Sequence, residues 1–387
     1  MAEIRLLTAT DADQSAGLAQ EAFGPFPAGY TPAAPTKTPG RHDWGTFESG
    51  ALVAQLAVRS YRSWWHGVEV ATSGIASVAV SPEHRGRGLL GDLLGAALAE
   101  ARSRGEILST LYPTAPGIYR SFGYELVTSL DDLEIPTSSL RGMRAVPGVV
   151  VRRAEVADVP AVRHVYDTWA AAQLGPLTRR GESFPATDTD YLASVTGVTL
   201  ALDSAGEVLG YAAWQRGPGY DRDSWVRVLD LLAVDARAYA ALWRFFGDFA
   251  SGTQTVRWRT SGTDAARLGL DVDLGRVALA RPYMLRVDDV AALLTAVAAG
   301  GEAEFAVAGD RLEVLDGSYR LRDGECVRTS GGSDAPTFTP RGLALSCAGI
   351  QSAANLRLMG LLEGPDQLDA VFDAWSGAAP VHVRDYF

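Results

Sequence analysis

Between residues 77 and 101 the chain reads SVAVSPEHRGRGLLGDLLGAALAEA. An apolar run of strand character ends in Ser81-Pro82 and passes through Arg85-Gly86-Arg87-Gly88. It then becomes a long Ala/Leu-rich helix with no ordinary cap. Glycines at such a junction weaken both neighbours, so the pattern implies a compensating ligand. The first N–H groups of a helix have no internal acceptor and, with the helix dipole, favour an anion there. Glycine allows close approach and positive φ, and arginine adds bidentate charge-assisted bonds. The loop therefore suits a pyrophosphate, with Arg85, Gly86, Arg87, Gly88, Leu89 and Leu90 as its binding residues. It is not the G-x-x-x-x-G-K-S/T of a P-loop. Its G-x-G-x-x-G spacing, Gly86 to Gly91, does not follow the chain's first strand, which disfavours a dinucleotide-binding fold.

A second pattern follows downstream. Residues 117–126, GIYRSFGYEL, place Tyr119, Phe122, Gly123 and Tyr124 between a predicted short helix and a strand. The Arg85–Leu90 loop resembles the R-x-x-G-x-G/A loop of the GNAT superfamily of acetyltransferases, and GIYRSFGYEL resembles that superfamily's x-x-x-Y-x-x-F/L-G-F/Y pattern. Arg85 and Gly88 match, whereas Leu90 stands where Gly or Ala is usual. That leucine, and the plan of the whole chain, look like the Eis family of actinobacterial acetyltransferases.

The resemblance implies acetyl-CoA as cosubstrate and direct transfer to an amine in a ternary complex. It implies that the backbone of Val78, Ala79 and Val80 pairs with the pantetheine amides and polarises the thioester. It implies Tyr119 as the acid for the leaving thiolate. Thiol and phenol titrate near pH ~8.5 and ~10, which suits that role in a dry site. It also implies that the C-terminal carboxylate, here on Phe387 of VHVRDYF, serves the ammonium as a base. An α-carboxyl has a pKa of only about 3.5, so burial, a relaying water or simple ammonium binding would have to assist. Tyr386 and Phe387 form an aromatic pair able to anchor a chain end that would otherwise fray. By the same resemblance, the acceptors are aminoglycosides or other polycationic or lysine-bearing amines, and the protein is a homo-oligomer, commonly a hexamer. The alternatives are an enzyme dedicated to one amine or protein lysine, and a non-catalytic acyl-CoA or lipid binder.

These residues need an α/β scaffold, and the chain spells it twice. IRLLTATDADQSAGLAQEAFG and VVVRRAEVADVPAVRHVYDTWA are each strand, acidic turn and helix. GTFESGALVAQLAVRSY and TLALDSAGEVLGYAAWQR are hairpins, the latter turning at Gly206. VRVLDLLAVDARAYAALWRFF repeats the strand–loop–helix unit without glycine, and TVRWRTSGTDAARLGLDVDLGRVAL repeats the last unit without a counterpart of Tyr119. The expected architecture is tandem GNAT domains over 1–146 and 147–286, the second degenerate and unable to bind coenzyme A. A third α+β domain over 287–387, resembling sterol carrier protein, should contain helices near 290, 347–362 and 365–376.

The acceptor side is sparser. Residues 22–44 carry Phe23, Phe26, Tyr30 and Trp44 in a Pro/Ala-rich stretch suited to covering a cleft. Trp64-Trp65-His66-Gly67 reads as a hairpin turn, and His84 and His382 are the histidines nearest the candidate site. A net charge of −11 argues against nucleic acid or an anionic membrane surface. Cys326 and Cys347 have no metal-ligand spacing, and two free thiols are the default. No metal site, signal segment or run of about 18 apolar residues is evident, so a cytoplasmic protein is expected.

Overall fold

The computed structural model describes residues 2–27, 29–30, 32–220, 223–262, 264–270, 275–331, 334–377 and 379–387. Twelve strands form one mixed sheet: β1 (Glu3–Leu6), β2 (Arg41–Glu48), β3 (Ala51–Trp65), β4 (Val68–Val80), β5 (Leu108–Leu111), β6 (Glu125–Pro136), β7 (Val150–Arg153), β8 (Gly197–Leu202), β9 (Val208–Arg216), β10 (Trp225–Ala233), β11 (Thr255–Ser261) and β12 (Arg276–Val287). Their order is β1-β2-β3-β4-β5-β12-β6-β11-β10-β9-β8-β7.

The two repeats are interleaved in this sheet. Strand β12, last of the second repeat, pairs with β5 of the first, from Met284↔Leu111 to Val287↔Leu108. Strand β6, last of the first repeat, pairs with β11 of the second, from Ser261↔Leu130 to Thr255↔Pro136. Each half is thus completed by the other half's final strand, and β6 and β12 pair with each other at the middle.

Helices α1 (Ala12–Phe23), α2 (Leu89–Ser103) and α3 (Pro116–Arg120) belong to the first half, and α4 (Val159–Ala171), α5 (Asp188–Ala193), α6 (Ala236–Gly247) and α7 (Ala266–Gly269) to the second. Along α2, Leu89, Leu93, Leu94, Ala97, Leu98 and Ala101 fall on one face and are buried. They pack on Ala54, Leu56 and Val58 of β3. The β3–β4 turn runs through His66 (φ 49) and Gly67 (φ 77), two positive φ values that suit a tight hairpin.

The third region has its own sheet, ordered β15-β14-β13-β16-β17, from β13 (Ala303–Val307), β14 (Gly317–Arg322), β15 (Glu325–Thr329), β16 (Thr337–Phe338) and β17 (Leu362–Glu363). Its helices are α8 (Val290–Ala296), α9 (Pro340–Cys347), α10 (Ala353–Leu358) and α11 (Asp369–Ala374). The helix expected over 347–362 is a correction: α9 ends at a turn through Gly349 (φ 63), and Ser352 caps a separate α10. The start of α9 is marked by Thr339, whose Oγ1 accepts from the Gly342 N–H at 3.1 Å. Phe305, Phe338, Phe372 and Trp375 pack together inside this region at centroid distances of 4.9–6.3 Å. Cys326 and Cys347 are buried and free. Among the described residues no helix is long and apolar enough to cross a membrane, and no His/Cys/Asp/Glu cluster suits a metal ion.

Candidate active site

The β4–α2 junction opens a cleft of about 660 Å³ whose walls include Val78, Ala79, Val80, Arg85–Leu90 and Tyr119. Helix α2 begins at Gly88, which is left-handed (φ 81, ψ −3) and supplies no side-chain cap. Gly86 is also left-handed at φ 77. A Cβ at either glycine would meet no atom within 4 Å, so backbone conformation and open approach, not packing, call for glycine. The first N–H groups of α2 therefore face the cleft without a side-chain partner.

The arginines of the loop differ. Arg85 donates from Nε to the Val80 carbonyl at 3.2 Å, and its terminal nitrogens have no protein acceptor among the described residues. Arg87 donates to both carboxylate oxygens of Glu48, at 3.0 and 2.7 Å, and is drawn towards β2. Leu89 is buried and Leu90 packs beside the same core, so both offer the cleft mainly backbone.

Strand β4 explains how a ligand could reach between strands. Its parallel ladder with β5 runs from Thr72↔Leu108 to Ile75↔Leu111 and stops. Ala76–Val80 continue with β3 alone, through a register shift between Gln55 and Ala57. Ser77 sits at this irregularity with φ 53. The strands part here and leave backbone groups on the β5 side of β4 available to an extended ligand.

Tyr119 lies on α3, only 8% exposed, and burial pushes its phenol up to about 12. It packs with Ile75 on the α2 face of the sheet. Gly123 closes the turn after α3 at φ 83, and a Cβ there would stand 2.5 Å from Nη1 of the buried Arg286. That crowding accounts for the glycine in the GIYRSFGYEL pattern. Tyr124 is fully buried, its hydroxyl 2.7 Å from Ser109 Oγ.

Phe387 reaches β4 from the opposite face. Its ring lies 5.1 Å from that of Tyr61 and 5.4 Å from that of Tyr112. It occupies the space a side chain at Gly74 would need, since a Cβ there would fall 2.7 Å from the Phe387 ring. Successive residues of a strand point to opposite faces, so Gly74 and Ile75 put Phe387 and Tyr119 on the two sides of the β4–β5 opening. Among the described residues the Phe387 carboxylate forms no ion pair.

Residues that sequence reading did not single out hold this tail. Tyr112 donates to the Asp385 carbonyl at 2.6 Å. Arg179 joins the Asp385 and Asp230 carboxylates at 2.9 and 2.5 Å. Arg384 donates to the Arg259 carbonyl at 2.6 Å and to Asp264 at 2.7 Å. The Val383 N–H donates to Ser261 Oγ at 3.2 Å, and Val381 bridges Leu174. Burial pulls the His382 imidazole down to about 3, aided by the nearby Arg384 charge. The signal for this anchoring was the alternation of apolar and polar residues in Val381-His382-Val383-Arg384.

The tail runs through the second half's equivalent of the first cleft. There the β10–β11 ladder also stops early, at Val228↔Trp258, and β10 shifts register against β9 between Val228 and Asp230. A cleft of about 420 Å³ remains, lined by Leu231–Ala236, Tyr239 and the tail residues Pro380, His382 and Arg384. Helix α6 begins on Asp235, whose carboxylate accepts from the N–H groups of Arg237 and Ala238 at 2.8 and 3.1 Å.

On the acceptor side, Phe23 lines the first cleft and Trp44 packs against the α2-face core. Tyr30 is exposed, its ring 5.6 Å from that of Phe26 and tilted by 55°, while residues 28 and 31 lie outside the described residues.

Comparison with known proteins gives concordant results. Residues 3–127 and 175–287 each match a family model described as an acetyltransferase (GNAT) domain. An uncharacterized N-acetyltransferase of Streptomyces avermitilis is 31% identical over 358 residues, covering 86% of each chain. The N-acetyltransferase Eis of Mycobacterium tuberculosis is 30% identical over 189 residues, 46% of this chain and 45% of that protein. A GCN5-related N-acetyltransferase from Kribbella flavida superposes with a TM-score of 0.82 at 26% identity, over 100% of this chain and 99% of that one. Eis1 from Mycobacterium abscessus shares the fold, with a TM-score of 0.77 at 20% identity over the full length of both chains.

Proposed function

The chain belongs to the Eis-like N-acetyltransferases of the GNAT superfamily, and from that premise we propose that it passes the acetyl group of acetyl-CoA directly to an amine at the β4–β5 opening. The observation that carries this reading is the uncapped start of α2 beside the strand edge Ala76–Val80, which β5 leaves unpaired. Acetyl-CoA supplies the activated acyl group when bound. The N–H groups from Gly88 onward and the terminal nitrogens of Arg85 hold its pyrophosphate. The backbone of Val78, Ala79 and Val80 aligns the pantetheine as an added strand and donates to the thioester oxygen. The amine nitrogen bonds to the acyl carbon as the C–S bond breaks. Tyr119, kept protonated by burial, gives its proton to the departing thiolate and is restored by the second proton that the acylated nitrogen sheds. The Phe387 carboxylate, directly or through water, receives the proton the ammonium must lose.

The three stretches 1–146, 147–286 and 287–387 divide this work. The second half binds no coenzyme A: Asp235 already satisfies the start of α6, and the tail runs through its cleft. The third region, sterol-carrier-like by resemblance, leads the chain into the tail that delivers Phe387. Its packed Phe305, Phe338, Phe372 and Trp375 count against a lipid-binding role. Homo-oligomerisation, as hexamers by family resemblance, belongs to the same proposal and is read by light scattering.

The resemblance to the Eis family implies aminoglycosides or other polycationic or lysine-bearing amines as acceptors. One observation favours the narrower alternative of a single dedicated amine. Arg41, Arg59 and Gly74 stand in one row across β2, β3 and β4, beside Phe387. The Asp43 and Asp385 carboxylates are already engaged, by Arg41 and Arg179. Thiol release from acetyl-CoA, measured against aminoglycosides, lysine peptides, simple diamines and zwitterionic amines, decides between them. Release with several polycations supports the broad reading, and release with one class of amine supports the narrow one. Silence with every amine, despite bound acetyl-CoA, would overturn the enzymatic reading of this site.

A further inference from the structure

We propose that Arg311, a residue of the third region, is a phosphate-binding residue of the first half's cofactor cleft. The assignment rests on the acetyl-CoA reading above and adds a ligand contributed from outside the acetyltransferase halves. Arg311 lines the same cleft as the Arg85–Gly91 turn. Its guanidinium lies over the Phe122 ring at 4.5 Å, and Nη1 donates to Ser121 Oγ at 3.2 Å. Nη2 stands 3.5 Å from the point a Gly91 Cβ would occupy, which places the charge over the first turn of α2. Among the described residues no carboxylate pairs with it. A cation beside an uncapped helix start, with most of its donors unused, is suited to a phosphate oxygen.

The arginine is also held in place beforehand. Asp310, the preceding residue, is buried and accepts from the N–H groups of Val314 and Leu315 at 3.1 Å each. It binds the guanidinium of the fully buried Arg286 through two bonds of 2.9 Å. Arg286 in turn donates to the Phe122 carbonyl at 2.5 Å and to Asp288 at 2.9 Å. One buried guanidinium therefore fixes both the ring on which Arg311 lies and the loop from which Arg311 extends. The Arg311 side chain is itself exposed, and what is set beforehand is the backbone it extends from and the ring it lies over.

Coenzyme A offers two kinds of phosphate, the pyrophosphate and the 3′-phosphate, and the test separates them. Calorimetric titration of the full chain with coenzyme A and with 3′-dephospho-coenzyme A is run on the wild type, Arg311→Ala and Arg311→Lys. We expect Arg311→Ala to bind coenzyme A about 10-fold more weakly, as loss of a charge-assisted hydrogen bond predicts. Arg311→Lys should fall between, because it keeps the charge and loses the planar fork. An equal loss with both ligands assigns the pyrophosphate. A loss seen only with coenzyme A assigns the 3′-phosphate. Unchanged affinity for both ligands in Arg311→Ala, with an unchanged melting temperature, overturns the proposal. Should Arg311→Ala fold poorly, an unchanged affinity for both ligands in Arg311→Gln, which removes the charge and keeps most of the side-chain volume, does the same. A wild type that binds neither ligand is a different result, since it removes the acetyl-CoA reading itself.

Discussion

Helix α2 starts on Gly88, which has no side chain to offer, and helix α6 starts on Asp235, which caps the helix with its own carboxylate. In both halves the central parallel ladder stops early, after Ile75↔Leu111 in one and after Val228↔Trp258 in the other. In the first half the resulting opening is lined by Arg85, Tyr119 and an unpaired strand edge. In the second, Val383, Arg384 and Asp385 run through it, bound to Ser261, Asp264 and Arg179. The same architectural gap stays open in one half and anchors the chain in the other. What separates the two uses is small: a glycine or an aspartate at the helix start, and whether peptide already fills the parted strands.

The comparison is broken most severely by removing the residue the anchor delivers. Deleting Phe387 should lower kcat by roughly 10²–10³-fold, the scale of a lost general acid–base group, with coenzyme A affinity within about twofold of wild type. A matching collapse of coenzyme A affinity would mean that the tail supports the first cleft instead of its chemistry. Tyr119→Phe should give a fall of similar size in kcat. Because burial pushes that phenol up to about 12, the wild-type rate should show no loss from tyrosine ionisation below about pH 10. A falling limb near pH 9 that disappears in Tyr119→Phe would contradict the assignment.

Gly88→Asp makes the first cleft imitate the second. Coenzyme A affinity should drop by more than about tenfold, since a carboxylate would sit where a pyrophosphate is expected. Binding within twofold of wild type by calorimetry would show that the helix start is not the anion site.

Acid should act on the anchor. His382 is neutral in the docked tail, pulled down to about 3, while a solvated histidine titrates near 6.5. Between those values the undocked tail binds the extra proton, so lowering the pH favours undocking. The penalty reaches about 2 kcal/mol by pH 5. Proteolysis of the tail should accelerate on that descent, and His382→Gln should flatten the dependence. A pH-independent cleavage rate in the wild type would refute this account. The smallest effect belongs to Asp235→Ala, which should lower the melting temperature slightly through the lost cap and leave acetyl transfer unchanged. Melting curves and the thiol assay together check both parts.

What could be read from the sequence was local. Arg85–Leu90 and Tyr119–Tyr124 are contiguous patterns, and their resemblance to the GNAT motifs named the fold; the repeated strand–helix units showed only that an α/β unit occurs twice. The exchange of β6 and β12 could not be read this way, because each strand has the same hydrophobic pattern whichever half it joins. Gly123 was visible as part of a motif, but its physical cause, the Arg286 guanidinium, comes from the last strand of the second repeat. Arg311, Arg179 and Gly74 carry no local signature at all. Each matters through a partner brought to it by the third region or by the tail.

The exchanged strands carry a consequence for the history of this chain. Were the second repeat lost, β5 and β6 would face one another across the vacant place of β12, and β6 would present a bare edge prone to aggregation. A duplication that has traded its last strands is therefore hard to undo, whatever becomes of the second copy's cleft. Nor can the first repeat finish its sheet during synthesis until the ribosome has passed Val287. Interlocking of this kind ties each copy to the other through architecture alone.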